Sequence, residues 1–294
     1  MLLEARELGF QQAELSHGTR VDLVPGIIQA VDEGVIAISS VHNFCPLPGS
    51  VKHASPNLFQ PSSRDKSERS QWLLHSERTL EFAVRVGARH VVMHSGSMTF
   101  RFRSPLPVFA ASMESGLAKL TKDRSVYGPD EREFAKARDR LRREAATSIR
   151  QVIAAYTDLV PAAERHGVWL GAENREGYPE LPLDDGFEDF FKALPPDSPV
   201  GYWHDTGHAQ IKHLTGLLDH EQHLTRLADR IIGFHLHDVS MAGKDHQVPG
   251  SGSVDFAMIS RFVRPEHTLV LEPSPKLTTE EIITSRDFLL EALS

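Results

Sequence analysis

The chain has 294 residues, 40% of them hydrophobic and 24% charged, with a formal net charge of −8. This is the composition of an ordinary α/β protein with a sizeable core, and its acidic balance argues against a general nucleic-acid binder. The single cysteine, Cys45, excludes an internal disulfide framework and a cysteine-rich zinc site, and no apolar run approaches the ~18–20 residues of a membrane span.

In chain order, the first segment, MLLEARELGF, is acidic, amphipathic and without a signal-peptide pattern, so the expected location is the cytoplasm. Short β-rich runs follow, most ending in a polar tip: QQAELSHG (11–18), VIAISSVHNF (35–44), HVVMHSGS (90–97), VWLGAENRE (168–176), VGYWHDTGH (200–208), IIGFHLHD (231–238) and TLVLEPS (268–274). Apolar runs this short, without strict alternation, predict parallel strands covered on both faces. Between them, helical spacing predicts helices over about 65–86, stopped at Gly87, and from Asp130 to about 164, where Asp130 and Glu133 form a capping-box pattern. Further helices are predicted over about 184–194, 216–230 and 278–293. The stretch 98–128 reads as a long insertion of mixed signals. Alternating strands and helices predict a parallel sheet, and function-bearing residues at each strand's C-terminal end favour a TIM-type (β/α) barrel, taken as a single domain over 1–294. Seven strands are visible where a full barrel has eight, so the first is expected to be missing or distorted beside QQAELSHG. That open edge would be covered by the 98–128 segment or by another copy of the chain.

Strand tips of a barrel meet in one mouth, which brings together Glu173, Asp205, His235 and Glu272. Each alone is the material of a helix cap or a salt bridge. Four on consecutive strands form a mostly oxygen donor set suited to a divalent ion such as Mn²⁺, Zn²⁺, Mg²⁺ or Co²⁺. His42, His94, His208 and His246 share the rim, as substrate-binding groups or ligands of additional metal, and His17 and His237 lie close by. His237 alternates with His235, which predicts that one of the two points away. His53, His75, His166, His213, His220, His223 and His267 read as surface or packing residues.

With these residues placed, the chain resembles the xylose-isomerase-like TIM barrels, a superfamily of sugar-phosphate isomerases/epimerases and endonuclease-IV-type apurinic-site endonucleases, over about residues 5–275. DTGH (205–208) resembles its Asp-any-any-His element, FHLHD (234–238) its His-any-any-Asp element, PGSGSVDF (249–256) its Pro-Gly-any-Gly loop, and AEN (172–174) and LEP (271–273) its two glutamates. The resemblance implies that Asp205 and His235 bind metal, that His208 binds substrate or a second metal, and that Glu173 and Glu272 both contact the metal and move protons. It departs at the absent first strand, at 98–128, and at Lys244-Asp245-His246, where the family's Asp-any-His pair is one place off.

Two carboxylates flanking a metal suit proton transfer beside a carbonyl, through an enediolate, giving an epimer or an aldose–ketose isomer. A sugar or sugar phosphate is then the expected substrate. Nucleic acid and membrane are not expected partners, and the open edge leaves room for a homo-oligomer. The rival reading is a metal-dependent phosphodiesterase acting on abasic DNA, with His42, His94 and His246 holding further ions. A third is a metal-binding barrel without activity.

Overall fold

The computed structural model describes the chain except residues 50, 52, 56, 101–103 and 124. Its elements, in order, are α1 (Leu2–Glu7), β1 (Gln12–Leu15), α2 (Val24–Asp32), β2 (Ala37–His42), α3 (Lys66–Val86), β3 (His90–Met93), α4 (Leu106–Leu120), α5 (Glu131–His166), β4 (Trp169–Glu173), α6 (Phe187–Ala193), β5 (Val200–Asp205), α7 (Thr206–Thr215), α8 (His220–Leu227), β6 (Ile231–Leu236), α9 (Phe256–Ser260), β7 (Thr268–Leu271) and α10 (Thr279–Ala292). The strands hydrogen-bond in chain order, β1 to β7, in one seven-stranded sheet. Parallel neighbours in sequence order, joined by helices, are TIM-barrel connectivity. Among the described residues no eighth strand appears, as expected. The irregularity sits where it was anticipated: the β1–β2 register shifts between Ala13 and Glu14, a bulge of the kind that blunts edge strands.

The chain divides into two units. The first comprises Met1–Ser97, Ser148–Glu173 and Asp189–Tyr202. Its helix α3 starts where Asp65 accepts from the Ser67 amide at 2.8 Å and ends at Gly87, whose φ of 75° gives the left-handed turn glycine adopts most readily. Trp72 of α3 lies beside Tyr156, with ring centroids 5.8 Å apart, and the Tyr156 hydroxyl reaches Ser95 Oγ at 2.8 Å. The buried phenol thus has the partner its burial demands.

The second unit comprises Met98–Thr147, Asn174–Glu188 and Trp203–Ser294. Here β6 and β7 pair from Gly233↔Thr268 to Leu236↔Leu271. Gly233 makes room for the buried Trp203: a Cβ there would stand 2.3 Å from the indole. The helix expected over 216–230 is α8 with a short 3-10 turn at Ala228–Arg230, and a further helix that was not expected, α7, precedes it. Asp205 caps α7 directly after β5, Gly216 ends it at φ 81°, and Asp219 caps α8 by accepting from Gln222 N at 2.9 Å. The 98–128 stretch contains α4, which packs on α7. Ser112 Oγ donates to Thr215 O at 2.7 Å, and Gly116 approaches so closely that a Cβ would meet Leu214 O at 2.1 Å. Positions 101–103 and 124 of that stretch lie outside the described residues. At the start of α5 half of the expected capping box is present, the Glu133 amide donating to Asp130 Oδ1 at 2.8 Å. No described helix is long and apolar enough to cross a membrane.

Candidate active site

In the first unit, strand tips bring three predicted residues together. His42 ends β2, His94 follows β3 and Glu173 ends β4, and all three are buried. His94 Nε2 lies 2.9 Å from Glu173 Oε2, and the His42 and His94 rings meet edge-on with centroids 4.6 Å apart. One ligand atom from each of the three falls within 4.8 Å of the others, close enough for one ion to span. His17 joins the edge of this group, 5.4 Å from His42 and 5.9 Å from His94 between ring centroids.

In the second unit Asp205 is the hub. It has no exposed surface. Its Oδ1 accepts from the His208 amide at 2.7 Å, a helix cap, while its Oδ2 accepts from His237 Nε2 at 3.0 Å. One carboxylate therefore both starts α7 and serves the site, so the capping and functional readings hold together. Asn174 brackets the Asp205 peptide, its Oδ1 accepting from Asp205 N at 2.7 Å and its Nδ2 donating to Asp205 O at 3.0 Å. His208 Nδ1 donates to the Asn174 carbonyl at 3.0 Å, which leaves the ring's lone pair at Nε2. Gly207 is glycine for a reason: a Cβ would stand 2.1 Å from the His237 ring.

His235, on β6, points its Nδ1 at Glu272 Oε2, 3.2 Å away, with Asp205 Oδ2 at 3.9 Å. Glu272 directly follows β7 and is about one-third exposed, at 34%. His246 reaches Glu272 Oε1 at 3.7 Å and Asp245 Oδ2 at 3.0 Å. Burial works against a charge on His246, but hydrogen bonds to Asp245 and Glu272 outweigh it and hold the imidazole at about 10. Lys244 lies exposed in the loop.

The expectation that His235 or His237 points away is overturned: both rings turn to Asp205. The strand ends at Leu236, so His237 lies past the last pleated residue and is free of the alternation. Two residues of the site were not singled out in the sequence. One is Asn174. The other is Asp238, whose buried carboxylate gathers four amides: Val239 and Val254 on Oδ1, at 2.7 and 2.9 Å, and Gly250 and Gly252 on Oδ2, each at 2.9 Å. It staples the Pro-Gly-any-Gly loop to the end of β6. Both sat inside quoted motifs, but their partners are backbone groups, which residue types do not advertise.

Oxygens of Asp205 and Glu272 close to one imidazole nitrogen fit a divalent cation, which would neutralise two acids crowded onto one base. Known structures of similar fold include sugar epimerases. An L-ribulose 3-epimerase matches with a TM-score of 0.67 and 15% identity, covering 99% of this chain and 87% of that one. A D-psicose 3-epimerase from Clostridium cellulolyticum H10 gives 0.66 and 13%, covering 100% and 92%. A 3-keto-D-glucoside 4-epimerase from E. coli gives 0.65 and 17%, covering 99% and 92%. No curated protein sequence matches. At these identities the likeness is one of fold. Residues 2–289 match the model of the xylose isomerase-like TIM barrel, and the chain belongs to that family.

Proposed function

We propose that the protein is a sugar or sugar-phosphate isomerase/epimerase that works with one divalent ion, Mn²⁺, Zn²⁺, Mg²⁺ or Co²⁺, held by Glu173, Asp205, His235 and Glu272. The observation that carries this reading is His235 Nδ1 set against carboxylate oxygens of Glu272 at 3.2 Å and Asp205 at 3.9 Å. The three epimerases of the same fold support the substrate class. The bound ion would polarise the substrate carbonyl and the neighbouring hydroxyl. Glu173 removes the proton from the carbon beside the carbonyl, and the C–H electron pair moves into the carbon–carbon bond as the carbonyl becomes an enediolate oxygen. Glu272, protonated from solvent, returns a proton to the opposite face of the same carbon for an epimer or to its neighbour for an isomer, in which case the neighbouring hydroxyl proton passes to the former carbonyl oxygen, and Glu173 gives its proton up to solvent. His208, whose lone pair is at Nε2, accepts from a substrate hydroxyl, and His246 donates to one. His42 and His94 position the substrate and Glu173.

The test is turnover in D₂O. Deuterium is expected at the epimerised or isomerised carbon of a ketose or aldose product, and only when a divalent ion is supplied. A second reading, phosphodiester cleavage in abasic DNA, draws on the further donor groups His42–His94–Glu173 and Asp205–His208–His237. Nicking of abasic DNA without solvent exchange into any sugar would favour it and sink the isomerase. Absence of both activities in metal-loaded protein would leave a barrel that binds metal without catalysing.

A further inference from the structure

We propose that His237 is a positioning residue for Asp205 and not a metal ligand: its ring is locked so that a proton on Nε2 points at the carboxylate oxygen turned toward His235. The inference rests on the metal reading of Asp205 and His235 and deepens it. His237 sits in two of the donor groups that could hold an ion, with Asp205 and His208 and with His246 and Glu272. What excludes it from ligation is where its proton must be.

The His246 amide donates to His237 Nδ1 at 2.9 Å. A backbone N–H can only donate, so Nδ1 carries a lone pair and the ring proton is on Nε2. That Nε2 lies 3.0 Å from Asp205 Oδ2, which can only accept when ionised. Nδ1 also lies 3.4 Å from the Asp238 carbonyl, but the amide at 2.9 Å is the shorter contact and agrees with the Nε2 end, and turning the ring over would lose both bonds. Ligation through Nε2 would require moving its proton to Nδ1, against an N–H. The backbone of His237 is held as firmly. Thr206 Oγ1 donates to His237 O at 2.7 Å and accepts from His237 N at 3.1 Å. One face of the ring stacks on His246, with centroids 4.2 Å apart and planes 8° from parallel, and the Gly207 Cα packs against it. A metal-bound carboxylate that accepts a hydrogen bond from a fixed donor is oriented and tuned by it, and loss of such a donor costs about 10–100-fold in metal affinity.

Two variants divide the ring's two ends. Gln places an amide nitrogen near Nε2 and nothing at Nδ1, whereas Asn places an amide oxygen near Nδ1 and nothing at Nε2. Calorimetric titration of the metal-free protein with Co²⁺ is expected to show His237→Asn weakened about 10–100-fold and His237→Gln close to wild type. Hydrogen exchange of the His246 amide, measured without metal, is expected to accelerate in His237→Gln and stay slow in His237→Asn. Equal Co²⁺ affinity in all three proteins overturns the proposal. So does loss of a nitrogen donor from the Co²⁺ absorption spectrum in both variants, which would make His237 a ligand. Failure of the wild type to take up Co²⁺ would count against the metal reading instead, and unchanged His246 exchange in His237→Gln would then still overturn the assigned tautomer.

Discussion

His204 and Asp205 are neighbours on β5, yet each belongs to a different set of buried imidazoles. Asp205 faces His208, His235 and His237. His204 faces the other way, as the pleat requires, and meets His220 and His223 of α8, with its Nε2 3.0 Å from His220 Nε2. His220 Nδ1 lies 3.3 Å from Gln210 Oε1, whose own Nε2 donates to Ser253 O at 2.9 Å. An amide oxygen can only accept, so His220 carries its proton at Nδ1 and accepts from His204. His208, His235 and His237 are buried like the second set, and the half-buried His246 borders them. In the second set burial, aided by neighbouring imidazoles, drives His204 well below its ordinary value and His220 down to about 3. Burial first, with Arg226 and Lys212 adding to it, takes His223 to about 4 against the pull of Asp184 and Asp185. In the first set carboxylates reverse the sign and hold His246 at about 10. Burial makes a histidine a neutral packing group, and carboxylates make it part of a site. The comparison can be broken by substitutions that strike one set and spare the other.

The largest expected effect is on the carboxylate side. Glu272→Gln keeps the shape and cannot move a proton, so turnover should fall about 10²–10⁴-fold while thermal unfolding stays near that of the wild type. Ion affinity is measured alongside, and activity that falls only in proportion to lost metal would make Glu272 a ligand without a proton-transfer role.

Next in size, His220→Leu should act on stability. It takes from His204 Nε2 and Gln210 Oε1 the hydrogen bonds they make inside the core, costing about 1–3 kcal/mol for each buried polar atom left unpaired. Urea unfolding should show the loss, and Co²⁺ affinity of the folded protein should not change. A variant as stable as the wild type would mean that the second set contributes nothing as a network.

The same set predicts an acid limb. The unfolded histidines titrate near 6.5, and the folded ones stay neutral down to about 3 for His220 and about 4 for His223. Between those values the unfolded chain binds the extra protons, so stability is full above about pH 6.5 and falls as pH drops below it. The slope is about 1.4 kcal/mol per pH unit for each such histidine. His220→Leu should flatten the slope by roughly one histidine's share between pH 6 and 4, read from urea midpoints. An unchanged slope would refute the assignment.

What the sequence made legible follows the same division. All seven strands were readable as short apolar runs, most ending in a polar tip, and His42, Glu173, Asp205, His235 and Glu272 stand at or next to the ends of their strands. Helix α7 was not. Thr206 to Lys212 are all buried, so the segment has no polar stripe from which a 3.6-residue period could be read. The orientation of His237 was misread because alternation was carried one residue past the end of β6. His220 and His223 were read as surface or packing residues, and their burial makes them packing residues. Asn174 and Asp238 act on backbone amides and carbonyls, and no spacing of side chains reports such partners.

The smallest expected effect on sugar turnover lies in the other unit, and it separates the two enzyme readings. His94 Nε2 lies 2.9 Å from Glu173 Oε2. In an isomerase that contact positions the base, and loss of a close polar contact to a charged group, on the order of 1.5–3 kcal/mol, means His94→Ala should cost about 10–100-fold in turnover. The loss should therefore be smaller than that of Glu272→Gln. In a phosphodiesterase His94 would be an ion's direct ligand, and its removal would abolish activity as fully as loss of Glu272. Counting ions per chain in the same two proteins makes the contrast independent of turnover. The isomerase reading expects His94→Ala to keep the wild-type stoichiometry, whereas a drop by one ion would move His42, His94 and Glu173 from positioning the substrate to holding a metal of their own.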